Sequence, residues 1–333
     1  MEQIKARNIS LDFFKGILVI QMVFAHSLQF FVDLYNDQNQ VALLISNYVN
    51  LVTFSGFVFS FGYVSYHAYL GKEFKVAARK IAANMGKLML AFYISSFAFV
   101  IFREEAIFNP NTIWDLLLIR RLAGWSEFLF SFVCLMFLCL VLFPILKKLN
   151  KVSAIILAVI SLGMCFIPYT HVNPILGSFI GGTNFAYFSV VQYFVLFVCG
   201  IIFAKHKIVF NKWIGLVALL GTVAYLGHLL IFGRPSRFPV SALWIAGSAG
   251  FLYAYYLLVQ VLPLNGKTQW LARIGSISLY YLVLSNLLIF AIRSTRFYRL
   301  GMPTAIVVFF IVMVVCWYLD NLTIKAKCYA SKS

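Results

Sequence analysis

Charge is what this chain has least of. Only 11% of its 333 residues are Asp, Glu, Lys or Arg, and the acidic ones number 10 against 27 basic. So sparse a charge excludes a soluble globular domain, since those average about a quarter charged residues. The cysteines, Cys134, Cys139, Cys165, Cys199, Cys316 and Cys328, form no C-x-x-C pair, and all but the last lie in apolar runs. That argues against a disulfide framework or a zinc site and leaves small buried hydrophobes. Metal-ligand spacing is missing elsewhere too, so no metal is expected. No Gly-x-Ser-x-Gly or Ser-His-Asp arrangement supports a covalent serine mechanism. There is no internal repeat, low-complexity linker or long polar segment, so the chain reads as a single integral-membrane domain over residues 1–333.

What fills the chain is apolar: 62% of residues are hydrophobic and 18% aromatic, with 35 Phe. Hydropathy predicts an all-α, polytopic membrane helix bundle of about ten transmembrane helices. The spans fall near 10–31, 41–66, 84–102, 127–146, 152–168, 185–204, 213–232, 240–262, 275–292 and 303–319. The first resembles a signal peptide after Lys5 and Arg7. It is interrupted by Asp12 and Lys15 and lacks a small-x-small cleavage site, so it is read as a retained anchor.

The net charge of +17 fits a membrane surface rather than nucleic acid, because the basic residues segregate by loop. With the amino terminus in the cytoplasm, the lysine-rich loops at 72–80, 147–151, 205–212 and 267–273 all lie inside, and both termini are cytoplasmic. The outer loops then hold Arg103, Arg120, Arg121, Arg234, Arg237, Arg293, Arg296 and Arg299, and no lysine. Arginine suits bidentate contact with phosphate or carboxylate, so Arg120, Arg121, Arg293 and Arg296 are candidates for holding an acceptor such as a polyprenyl-phosphate headgroup or an acidic glycan. The alternative is that the lysines simply carry the orientation signal.

Lys15 and His26 sit inside the first span, where either is expensive and therefore points to function. They are eleven residues apart, three turns plus roughly 20°, so they share one stripe about 16 Å apart along the axis. A cation near one face with an imidazole deeper in is a layout that proton-transfer chemistry can use. Snorkelling, or a pair between Lys15 and Asp12, is the structural alternative for the lysine. For His26 it is a polar contact to a neighbouring helix.

Around these residues the chain resembles acyltransferase family 3, integral-membrane acyltransferases that modify sugars and envelope glycans. The opening pattern of that family is matched by Arg7, Leu11-Asp12, Lys15-Gly16 and His26. Val52-Thr53-Phe54-Ser55-Gly56-Phe57 is similar to its second-span motif, with the leading Phe missing. Trp125 to Leu129 with Pro144, Phe197 to Gly200 with Lys205, and Gly275 to Tyr280 resemble later segments. Lys15 replaces the usual Arg, and Asn84 stands where the first of a basic pair would, with Lys87 as the second. The stretch Leu282-Val283-Leu284-Ser285-Asn286 lacks the late His that the family often carries.

The resemblance implies acyl transfer from a cytoplasmic acyl-CoA, most often acetyl-CoA, as co-substrate. The acceptor would be a sugar hydroxyl or amine on a glycan or polyprenyl-linked sugar, and the commonest location is the bacterial inner membrane. Lys15, with Arg79, Lys80 and Lys87, would meet the donor phosphates. His26 would act as general base, and Glu127, at the outer end of the fourth span, would orient or polarise it. A pair with Arg120 or Arg121 is the structural alternative for Glu127. Rival readings are a glycolipid transporter or flippase, whose usual internal repeats and broken helices are not detected, and a non-catalytic relative on the same scaffold.

Overall fold

Asparagine and serine mark where many of the helices begin. Asn8 Oδ1 accepts the Leu11 amide at 3.0 Å, and Asn150 with Ser153 forms a reciprocal capping box. Asn109, Asn173, Asn211 and Ser241 cap four further starts. Each cap satisfies an amide that an apolar setting would otherwise orphan. The computed structural model of the protein describes residues 8–36, 39–105, 109–167, 170–262, 268–295 and 299–330, with side chains to residue 323.

In chain order the helices are α1 (Ile9–Phe31), α2 (Gln40–Ser65), α3 (Phe74–Phe99), α4 (Pro110–Leu117), α5 (Glu127–Val141), α6 (Phe143–Lys147) and α7 (Lys151–Gly163). They continue with α8 (Pro174–Ile180), α9 (Val190–His206), α10 (Lys212–Phe232), α11 (Ala242–Val261), α12 (Gln269–Ser276), α13 (Ser278–Thr295) and α14 (Met302–Ala330). π turns extend α2 over Tyr66–Leu70 and α3 over Val100–Glu104. No strand occurs among the described residues.

All ten expected spans have their helix. Seven (α1, α2, α3, α10, α11, α13 and α14) are long and apolar enough to cross a membrane, and α5, α7 and α9 are shorter apolar helices. The fold is therefore the all-α membrane bundle that the composition predicts. Several boundaries differ, and two have a clear physical reason. The third helix begins at Phe74 rather than near 84, because Lys, Arg and Ala favour a helix as well as apolar residues do and hydropathy marks only the lipid-facing part. The ninth span begins at Ser278, where a break at Ile277 separates it from the amphipathic α12.

α1 is central, packing against α2, α11, α12, α13 and α14. Apolar burial contributes little between helices already in lipid, so close packing has to hold them together. Gly16 and Gly275 let the α1 and α12 backbones touch: a Cβ on Gly16 would strike the Leu271 carbonyl, and one on Gly275 the Asp12 carbonyl. Gly62 and Gly200 do the same for α2 and α9, each lying against a carbonyl of the other helix, Phe197 and Phe59 respectively. Gly56 packs on Leu18 and Leu252, and Ser55 Oγ bonds the Leu51 carbonyl of its own helix at 3.0 Å.

The bundle has two unlike ends. At one, Lys147 Nζ reaches the Lys72 carbonyl at 2.9 Å and Lys205 bonds the Leu149 carbonyl. At the other, Arg103 lies over the Phe30 ring, Arg234 bonds Asn47 and Arg237 stacks on aromatic rings. The confinement of lysine to one end is thus a property of the folded molecule.

Candidate functional site

Near the arginine end of α1, His26 is 9% exposed. Its Nδ1 lies 2.9 Å from Oδ1 of Asn286, a fully buried residue of α13. Asn286 Nδ2 donates to the Trp125 carbonyl at 3.0 Å and to Ser95 Oγ at 3.1 Å. A backbone carbonyl only accepts, so the amide nitrogen belongs on Trp125 and the amide oxygen on His26. That oxygen also only accepts, so the ring proton is on Nδ1. In the neutral imidazole Nε2 then keeps its lone pair.

Trp125 holds this arrangement from the loop before α5. Its backbone has φ 58°, a left-handed conformation unusual for so bulky a residue. The indole donates to Gln29 Oε1 at 2.8 Å, and the ring packs on Phe30 at 4.5 Å between centroids. Gln29 in turn donates to Asn50 at 3.2 Å. α1, α2, α13 and the Trp125 loop are therefore tied together next to the imidazole.

His26 lines a cavity of about 870 Å³ at the arginine end, whose walls also include Gln29, Asn50, Glu127, Arg234 and Arg237. Glu127 is 8% exposed, and its Oε2 has no hydrogen-bond partner. The Arg237 guanidinium rests on the rings of Phe238, Phe188 and Trp244, at 4.7, 5.1 and 6.0 Å, and its Nε is buried without a partner. Burial pushes the Arg237 pKa down to about 10, and the nearby Tyr193 and Glu127 oppose that fall, so the group remains charged at neutral pH. Among the described residues neither Glu127 nor Arg237 enters an ion pair.

The residues singled out from sequence fall into three groups. His26 and Glu127 share the cavity, but the partner that orients His26 is the Asn286 amide, not the Glu127 carboxylate. Arg120 and Arg121 line a neighbouring cavity of about 380 Å³, which shares Gly124 and Phe185 with the first. Arg121 is paired with Glu104, which the π turn at the end of α3 brings beside it, so the alternative pairing of Arg121 with Glu127 does not form. Arg293 lies in the last turn of α13, outside the walls of both cavities. Arg296 lies outside the described residues, as does Arg7 of the opening motif.

Lys15 faces inward with 17% of its side chain exposed, and its ammonium is 2.8 Å from Asp12, which is the pairing its spacing allowed. It is not in the wall of the His26 cavity. Arg79, Lys80 and Lys87 are exposed on the first half of α3. Lys80 and Lys87, seven residues apart, lie within roughly 20° of one stripe. Asn84, between them, donates to the Tyr69 hydroxyl at 2.7 Å.

Sequence reading passed over Asn286, Gln29, Arg234 and Arg237 as site residues. Arg234 and Arg237 were visible as outer arginines, and only the fold selects them for this cavity. Asn286 occupies the stretch where a late His was missed, and its burial in an apolar helix was the available signal.

Residues 8–320, nearly the whole chain, match the acyltransferase domain of acyltransferase family 3. Neither a curated protein nor a solved structure matches the chain. With a family match of that extent on a bundle of apolar helices, the protein belongs to acyltransferase family 3 and is a membrane acyltransferase.

Proposed function

We propose that the protein transfers an acyl group, acetyl in the simplest case, from an acyl-CoA to a hydroxyl of a sugar, glycolipid or surface polysaccharide. The observation that carries this reading is the His26–Asn286 bond, which leaves Nε2 as the basic nitrogen of a residue lining a large cavity. Nε2 takes the proton of the acceptor hydroxyl as its oxygen attacks the thioester carbonyl carbon. The C–S bond then breaks, and the leaving thiolate takes that proton back from the imidazolium.

The donor approaches from the lysine end, which positive-inside orientation makes cytoplasmic. Lys15 keeps two ammonium protons beyond its bond to Asp12 with which to meet a donor phosphate. Arg79, Lys80 and Lys87 add cations on α3. The acceptor, a glycan or a polyprenyl-linked sugar, arrives from the arginine end, where Arg120 and Arg121 line the chamber beside the His26 cavity and are the cations first in line to meet it. Family membership favours a bacterial inner membrane.

The test is transfer of label from radiolabelled acetyl-CoA to an added glycan by the purified protein. His26→Ala should abolish it. Transfer by His26→Ala at the wild-type rate would sink the mechanism.

A further inference from the structure

The His26 cavity holds a carboxylate and a guanidinium that do not satisfy each other. Glu127 Oε2 is a buried acceptor without a donor, and Arg237 Nε is a buried donor without an acceptor. They lie close enough for each to feel the other's charge, yet they do not close into an ion pair. Leaving such groups unmet is costly, so the site is built for something that supplies both a donor and an acceptor. An anion supplies only acceptors, and the cavity gives it no net attraction, because Asp33 and Glu127 balance Arg234 and Arg237. A hydroxyl does both. Other aromatic side chains in the same wall, Tyr35, Trp125 and Phe185, suit the apolar face of a pyranose ring.

We infer that Glu127 and Arg237 form a diol-binding subsite for an uncharged sugar: one hydroxyl donates to Glu127 Oε2, a neighbouring oxygen accepts from Arg237 Nε, and a further hydroxyl is presented to His26. This rests on the reading above that the acceptor is a sugar. It replaces the acidic ligand that the outer arginines suggest and gives Glu127 a binding role.

The test uses the full-length protein in detergent with the methyl glycosides of glucose, galactose, mannose and N-acetylglucosamine. The deoxy analogues of whichever glycoside binds and the matching uronosides complete the set. Binding is read by calorimetry and transfer by label from acetyl-CoA. A neutral glycoside should bind, and one deoxy analogue should bind about tenfold more weakly or worse. Glu127→Gln and Arg237→Gln should each weaken the parent sugar by at least about tenfold and erase the penalty for one deoxy position, with KM moving far more than kcat. Four results would overturn the inference: no neutral glycoside binding, affinities unchanged in both variants, a uronoside preferred tenfold with the preference lost in Arg237→Gln, or a fall in kcat alone in Glu127→Gln. Binding that depends on Glu127 and Arg237 without any transfer would sink the acyltransfer mechanism and leave the subsite standing. Transfer with variant affinities unchanged would do the reverse.

Discussion

Asn286 faces two kinds of neighbour, and that division places the proton on His26. The Trp125 carbonyl takes the amide nitrogen, so the amide oxygen is left for Nδ1. Asn286→Leu keeps the volume and removes every bond. It should lower kcat at least about tenfold, since a base in the wrong tautomer cannot accept a proton at Nε2. A thermal melt close to that of the wild type would separate this from unfolding, and an unchanged kcat would show that the amide does not orient the base. At the other end of the stripe, Lys15→Ala should weaken acyl-CoA binding more than turnover, measured as a dissociation constant against kcat. Unchanged donor affinity would exclude the phosphate contact. The Lys15–Asp12 pair was legible from spacing alone, because residues three apart on a helix are neighbours whatever surrounds them. The Asn286 contact was not, because it joins residues 260 apart.

Among the elements, α1 is positioned by backbone contact rather than by long side chains. Gly16 against Leu271 and Gly275 against Asp12 leave no room for a Cβ, and neither do Gly62 and Gly200 between α2 and α9. Gly62→Ala or Gly200→Ala should destabilise the bundle by about 1–3 kcal/mol, the usual overpacking cost, read from unfolding in detergent. Gly275→Ala should also lower activity, because α12 sets where the Asp12–Lys15 turn of α1 sits. Full activity in that variant would show that the α1–α12 contact does not position the site. The ten apolar helices were readable from run length, whereas the short α4, α8 and α12 were not. The start of α3 was misplaced because hydropathy reports burial in lipid and not helicity. The break at Ile277 follows Gly275-Ser276, a breaker signal too weak to read inside an apolar run.

For the molecule as a whole, the two ends differ in the chemistry of their cations, mostly lysine at one and arginine without lysine at the other. That predicts which loops face which compartment. With Cys328 replaced by Ser, Ser236→Cys should react with a membrane-impermeant maleimide in intact cells, whereas Lys148→Cys should react only after lysis. Labelling of both in intact cells would refute the orientation. The same asymmetry gives the donor and the acceptor opposite approaches to one imidazole. Arg234 and Arg237, from the loop before α11, lie in the wall of the cavity at that imidazole, while Arg120 and Arg121 line the chamber beside it.

Composition and hydropathy determined the helical membrane bundle, the places of its apolar helices and the charge asymmetry of its loops, because each is a sum over local residues that lipid reads directly. The motif at Lys15 and His26 likewise pointed to the family by resemblance, and helical spacing separately places both residues on one stripe. Tertiary structure alone decided which amide orients His26, which arginine shares its cavity with Glu127, and that Arg121 is already taken by Glu104. Those outcomes depend on which helices lie side by side, and in lipid that choice rests on close backbone contact and buried polar partners, which no single stretch of sequence reveals.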